Sequence, residues 1–241
     1  MDSAGEAKSE RLADLRRRMA AVPARGAGAA PRPPLRRELL PVPSPLVELL
    51  PEGGLAKGSV VEYAGSGSLL TGLLAAVTGG GGHAAVVGLP RLGLLAAAEM
   101  GAQLGRLAVV PDPGPDPVEV AAVLLDGLDL VVLGLGGLSV PPSRTRVLAA
   151  RARSKGSTLV VTGGAWSGST LRIDTRIAGY DGLGRGCGRL RTLRLDVRVR
   201  GRSAPPRTGR LELSSRDGRV EWIAAQASRP QRLETVREAA S

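Results

Sequence analysis

Four residues, Gly65-Ser66-Gly67-Ser68, have the types and spacing that could hold phosphate. A glycine-rich turn between a strand and a helix can cradle phosphates with its backbone N–H groups. In the pattern G-x-x-x-x-G-K-[ST], a lysine adds charge at the β/γ-phosphates and a hydroxyl holds Mg²⁺. Started at Gly65, that pattern puts Leu70, Thr71 and Gly72 where glycine, lysine and Ser/Thr belong. No lysine lies between Lys57 and Lys155, so no other register supplies one. Gly65, Ser66, Gly67, Ser68, Leu70 and Thr71 therefore read as a vestigial nucleotide site. Its backbone amides could still receive an anion. The alternative is that the glycines only make a tight turn. Other chemistries have few candidates: Cys187 and His83 are the sole cysteine and histidine. That excludes an internal disulfide, a cysteine metal cluster and a histidine-rich metal site. The expectation is no metal, no cofactor and no catalytic residue.

The elements that must position this stretch alternate in type. Short apolar runs at Ser59–Tyr63, Ala84–Gly88, Leu107–Val110, Leu130–Leu133 and Thr158–Thr162 read as strands. Between them, Leu69–Val77, Leu92–Leu104, Pro117–Leu125 and Pro142–Ser154 read as helices. Such alternation predicts an α/β domain with a mainly parallel sheet covered on both faces. From about residue 165 the pattern changes. Leu171–Ile177, Leu193–Arg200, Gly209–Leu213 and Val220–Ile223 read as strands of an antiparallel extension, with Asp217-Gly218 as a turn. In LRLDVRVR, Leu193, Leu195, Val197 and Val199 should face the core, and Arg194, Asp196, Arg198 and Arg200 should face away.

The net charge of +11 is unevenly placed. Residues 1–45 carry 9 basic and 5 acidic groups, residues 46–140 carry 3 and 9, and residues 141–241 carry 21 and 8. An acidic first half and a basic second half suggest a directional surface for nucleic acid or an acidic protein. Arg185, Arg189, Arg191, Arg194, Arg198, Arg200 and Arg202 are the candidates for that surface. Equally, scattered arginines can simply solvate it. With no Phe, two Tyr and two Trp, an aromatic platform for single-stranded nucleic acid is not expected.

Residues 1–22 read as an N-terminal amphipathic helix. Within it, Glu6–Val22 repeats Leu12, Leu15, Met19 and Val22 at helical spacing opposite a charged face. Leu12, Leu15 and Met19 are candidate partner contacts, in cis or in trans. Residues 23–46, rich in Pro, Arg, Ala and Gly, read as a linker. The α/β domain with its extension spans 47–223, and 224–241 is a polar tail. No apolar run reaches the ~20 residues that span a bilayer. The expectation is a cytoplasmic protein.

The order of these pieces resembles a RecA-type ATPase core. More specifically, it is similar to the ImuA-prime branch of RecA-like mutagenesis proteins. The resemblance rests on LPEGGLAKGSVVEYAGSGSLLTGLL, AAVVGLPRLGLLAAAEMG, LAVVPDPGPDPVEVAAVLLDGLDLVV and YDGLGRGCGRLRTLRLDV, within residues 47–215. It implies a RecA-like accessory protein of DNA-damage-induced (SOS) translesion synthesis and mutagenesis, nucleoid-associated when DNA is damaged. The implied partners are an ImuB-type inactive Y-family polymerase relative and, indirectly, an error-prone C-family polymerase and the sliding clamp. DNA is a further possible partner of the basic half.

The sequence departs from RecA-type ATPases at four places. Thr71 replaces the phosphate lysine, and Gly134 stands where an acidic Mg²⁺ ligand follows the hydrophobic strand. Pro90 occupies the region of a water-orienting Glu, and Gly163 that of a γ-phosphate sensor. Asp126 and Asp129 precede their strand, at the end of the sheet away from ligands. The segments Leu135–Val140 and Gly163–Thr170, where RecA-type recombinases carry DNA-binding loops, are short and lack basic residues. The expectation is an adaptor without ATPase activity. The competing readings are a divergent ATPase served by Arg91 or Arg106, and a DNA-binding repair protein.

Overall fold

The structure, a computed structural model, describes residues 38–183, 188–202, 204–216 and 219–224. Two short strands, β1 (Leu39–Leu40) and β2 (Leu55–Ala56), pair antiparallel around helix α1 (Ser44–Val47). An alternating core follows: β3 (Val60–Ala64), α2 (Gly67–Gly79), β4 (Ala84–Val87), α3 (Leu94–Glu99) and β5 (Leu107–Val110). It continues through α4 (Pro117–Leu124), β6 (Leu130–Gly134), α5 (Pro142–Lys155) and β7 (Thr158–Thr162). Four long strands close the chain: β8 (Leu171–Leu183), β9 (Gly188–Gly201), β10 (Arg207–Arg216) and β11 (Arg219–Ala224).

Nine strands form one sheet in the order β11-β10-β9-β8-β3-β7-β6-β4-β5. The pairs from β8 to β5 are parallel, and those from β8 to β11 are antiparallel. The expected α/β architecture with an antiparallel extension is therefore present, as a single continuous sheet. Strands β4 and β6 are buried along their whole length, which is why they read as unbroken apolar runs.

Local signals set the helix ends. Asp116 caps α4 by accepting the Glu119 N–H at 3.2 Å, with Pro117 in the first turn. Gly156, at φ 67°, ends α5 in the left-handed conformation. The expected helix Leu92–Leu104 is shorter than the pattern suggests. Only Leu94–Glu99 is helical, because the chain turns at Gly101 (φ 94°) before a 3₁₀ turn at Leu104–Arg106. The assignment of 23–46 to a linker also fails at its end. Leu40 and Leu46 are buried, and Lys57 N–H donates to the Glu38 carbonyl at 2.8 Å.

Two apolar layers sandwich the sheet. On one face Val60, Val87, Val131, Leu133, Leu159 and Val161 pack with α4 and α5. On the other, Val61, Tyr63, Val86, Val132 and Ile173 pack with α2 and the α1 region. The second layer continues across β9 through Leu193, Leu195, Val197 and Val199, as their alternation predicts. Strand β8 overhangs its neighbour. Ala64, the last residue of β3, is level with Asp174, and β8 runs on to Leu183. Paired with β9, this arm stands over the carboxyl end of the parallel strands.

Candidate functional site

The strand–turn–helix unit is present at Val60–Gly79, but its turn is too short to wrap a phosphate. Strand β3 ends at Ala64 and α2 begins at Gly67, leaving Gly65 and Ser66 between them. Ser66 caps the helix by accepting the Ser68 N–H at 3.3 Å. Its own N–H donates to the Thr175 hydroxyl at 2.7 Å, and that hydroxyl donates to the Ala64 carbonyl at 3.2 Å. The Tyr63 hydroxyl donates to the Ser66 carbonyl. Burial pushes the Tyr63 phenol up to about 12, so it stays a neutral donor. Gly65 adopts φ 110°, and a Cβ there would lie 2.5 Å from the Thr175 hydroxyl oxygen and 2.8 Å from its carbonyl carbon. The turn is latched by β8. The tight-turn alternative for these glycines describes the geometry better than a phosphate cradle does.

The positions that should hold the charged groups are filled. Leu70 is buried, and Thr71, also buried, donates its hydroxyl to the Gly67 carbonyl at 2.9 Å. Gly72 lies under Trp222 of β11, and a Cβ there would collide with the indole nitrogen. At the end of β6, a Cβ on Gly134 would come within 2.6 Å of both the Gly88 carbonyl oxygen and Leu89 Cδ2. A carboxylate cannot enter there without separating β6 from the turn after β4. Lys57, before β3, lies at the opposite end of that strand. It pairs with Glu38 at 3.1 Å and Asp129 at 3.2 Å, and these carboxylates raise its pKa. Burial pushes the Asp129 carboxyl up, but the His83 amide and Lys57 outweigh it and hold the group below the usual range. Asp126 pairs with Arg151 at 2.6 Å. Both aspartates are structural.

Above the latched turn lies an open cleft of about 1160 Å³. Its floor holds Tyr63, Ser68 and Thr71, and the Leu89–Gly93 loop lines it together with Arg191–Leu193 of the arm. Pro90 and Thr162 also line it, while Gly163 adopts φ 71° just beyond β7.

The family model for the MT3502 N-terminal domain matches residues 48–168. An uncharacterized protein of Mycobacterium tuberculosis (strain ATCC 25618 / H37Rv), Rv3395c, is 48% identical over 203 residues. That match covers 80% of this chain and 93% of the relative. The chain belongs to the MT3502 N-terminal domain family. Its fold is similar to that of a solved KaiC-like protein, PH0186, from the hyperthermophilic archaeon Pyrococcus horikoshii OT3. The TM-score is 0.52 at 16% identity, covering 79% of this chain and 100% of the other. A likeness at that identity establishes the fold alone, a RecA-like one.

In this family member the arginines proposed as one basic surface are divided. Arg194 pairs with Asp181 and, at 3.4 Å, with Glu212. Arg200 pairs with Asp174 at 2.7 Å, and Arg202 donates to the Gly168 carbonyl at 3.0 Å. Arg172 joins Glu62 to Asp174, and Arg210 meets Asp196 at 2.7 Å. The outward face of β8–β10 is thus a lattice of alternating charge, not an unbroken basic field. Arg198 is exposed on it with no ion pair among the described residues. Arg191 shares the parity of Leu193 and Leu195, so it belongs to the cleft side instead. Arg189 lies in β9. Arg185, Leu12, Leu15 and Met19 fall outside the described residues, as do Cys187 and most of the tail.

The segments Leu135–Val140 and Gly163–Thr170 are tied together. Val140 N–H donates to the Ala165 carbonyl at 3.1 Å, and Ala165 N–H to the Leu138 carbonyl at 3.0 Å. Among the described residues, no group of acidic, cysteine or histidine side chains is arranged to hold a metal, and no helix is long and apolar enough to cross a membrane. Sequence reasoning missed Thr175. It is separated by 109 residues from the amide it binds, and nothing local marks a threonine as a latch.

Proposed function

We propose that this protein is a non-catalytic RecA-like adaptor of DNA-damage-induced translesion synthesis, acting in the cytoplasm and at the nucleoid. The observation that carries the non-catalytic part is the filled site. The turn is two residues long and latched by Thr175. The lysine and Ser/Thr positions are Thr71 and Gly72, buried or covered, and Gly134 has no room for a carboxylate. A nucleoside triphosphate there would keep several negative charges without a facing lysine or an acid-held Mg²⁺. The RecA-like fold is kept while its chemistry is not, which is the expected condition of a domain retained for its surfaces.

The cellular setting rests on the resemblance to the ImuA-prime branch. On that reading the partner is an ImuB-type inactive Y-family polymerase relative, through which the protein supports an error-prone C-family polymerase at the sliding clamp. The test is a titration of the full-length protein with a fluorescent ATP analogue and Mg²⁺, with and without single-stranded DNA. No saturation up to millimolar nucleotide is expected, together with co-purification of the ImuB-type protein. Saturable micromolar binding, or turnover lost on Arg91→Ala, overturns the non-catalytic reading in favour of a divergent ATPase.

A further inference from the structure

The cleft over the latched turn is open, although the nucleotide chemistry beneath it is gone. Its volume of about 1160 Å³ exceeds the 300–1,000 Å³ of common small-ligand pockets. Its walls are aliphatic: Leu89 and Leu92 on the loop after β4, Leu193, Leu213 and Val220 on the β9–β11 side. Two cations sit among them. Arg91 belongs to the loop after β4 and Arg191 to β9, strands that lie on opposite sides of β3 in the sheet. Both are exposed, and neither makes an ion pair or hydrogen bond among the described residues. This sets them apart from Arg194, Arg200 and Arg210 on the other face, each held by a carboxylate. Against them the cleft offers one acidic side chain, Glu99.

We infer that this cleft is a docking groove for an acidic, aliphatic peptide segment of another protein. The inference rests on the adaptor reading and names the kind of partner segment its retained surface accepts. Aliphatic walls supply area for leucine-like side chains, and the two free guanidinium groups supply fork-shaped donors for carboxylates.

Charge complementarity excludes the chain's own candidates. The amphipathic segment 6–22 carries Lys8, Arg11, Arg16, Arg17 and Arg18 against Glu6, Glu10 and Asp14. The tail 225–241 carries Arg229, Arg232 and Arg237 against Glu234 and Glu238. Each of these would bring net positive charge to a groove already holding two unpaired arginines.

The test uses full-length protein and two short fluorescein-labelled synthetic peptides, one of Asp, Glu and Leu, the other with lysine at every acidic position. Anisotropy is followed for the wild type and for Arg91→Glu, Arg191→Glu and the double variant, with circular dichroism as a check of fold. The wild type should bind the acidic peptide, and the double variant should bind it at least about tenfold more weakly, equivalent to ~1.4 kcal/mol. The lysine peptide should show the opposite preference. Equal binding of the acidic peptide to wild type and double variant, or no binding to either, overturns the inference. Neither of those results touches the adaptor reading, which the nucleotide titration and the co-purification judge separately.

Discussion

Replacing Gly65 by alanine tests the latch directly. Two costs add. A side chain at φ 110° is in a conformation that L-residues rarely adopt, worth ~1–3 kcal/mol. The new methyl would also collide with the Thr175 carbonyl oxygen and lie 2.5 Å from its hydroxyl. Contact at a normal separation of ~3.5 Å requires the turn and β8 to part by more than ~1 Å. That movement breaks the 2.7 Å bond from the Ser66 amide and disturbs Tyr63, at ~0.5–1.5 kcal/mol for each hydrogen bond lost. The expected total is ~2–5 kcal/mol, a large part of the ~5–15 kcal/mol that holds a domain together. Urea unfolding followed by circular dichroism would show a lower midpoint with a similar slope. A double-mutant cycle with Thr175→Ala sharpens the result. Part of the Gly65→Ala cost should disappear in that background, because the hydroxyl bonds are already lost. The remainder should persist, because the main chain of residue 175 stays in place. If Gly65→Ala falls within ~0.5 kcal/mol of wild type, the turn is not clamped and the phosphate-cradle reading returns.

Three further outcomes follow from the packing. Gly134→Asp, which would restore an acidic residue at the end of β6, should destabilise by roughly 2–4 kcal/mol through overpacking against Gly88 and Leu89, with no gain in Mg²⁺-nucleotide binding by calorimetry. Asp129→Ala should cost ~1.5–3 kcal/mol near neutral pH by removing the acceptor of the His83 amide and the partner of Lys57. Because folding lowers the Asp129 pKa, the gap between melting curves of wild type and variant should be full above pH ~4 and narrow as the pH falls through the lower folded value. Leu195→Ala should cost ~2–5 kcal/mol, whereas Arg198→Ala, three positions along the same strand and on its exposed face, should stay within ~0.5 kcal/mol.

The parts of the fold that follow a short period were legible from the sequence. Alternation in LRLDVRVR assigns a buried and an open side because side chains in a strand switch faces at each residue, and Leu195 and Val197 are indeed covered. The apolar runs of β4 and β6 are legible because parallel strands are buried on both faces. What pairs with what is set by register and long-range closure, and these leave no local trace. Arg194 and Arg200 look free in sequence. They meet Asp181 and Asp174 only because β8 and β9 align as they do. Likewise Ser66-Gly67-Ser68 reads as loop until one sees that α2 begins at Gly67, two residues earlier than the apolar run suggests. The site was legible as a loss of charge at Thr71 and Gly134. That Leu89, Trp222 and Thr175 fill it depends on packing between distant segments.

The place of β3 in the sheet has a consequence for synthesis. Its two neighbours, β7 and β8, follow it by roughly a hundred residues, with Val61 aligned to Val160 and Leu171. A growing chain therefore makes VVEYA long before either edge can be covered. A chain that stops before β8 begins at Leu171 leaves β3 with an open edge and its turn without Thr175. Folding of the first half then waits on the second, and a chain stopped there is exposed to aggregation and proteolysis. The arginine-rich strands thus close the edge of β3 that the first half leaves open.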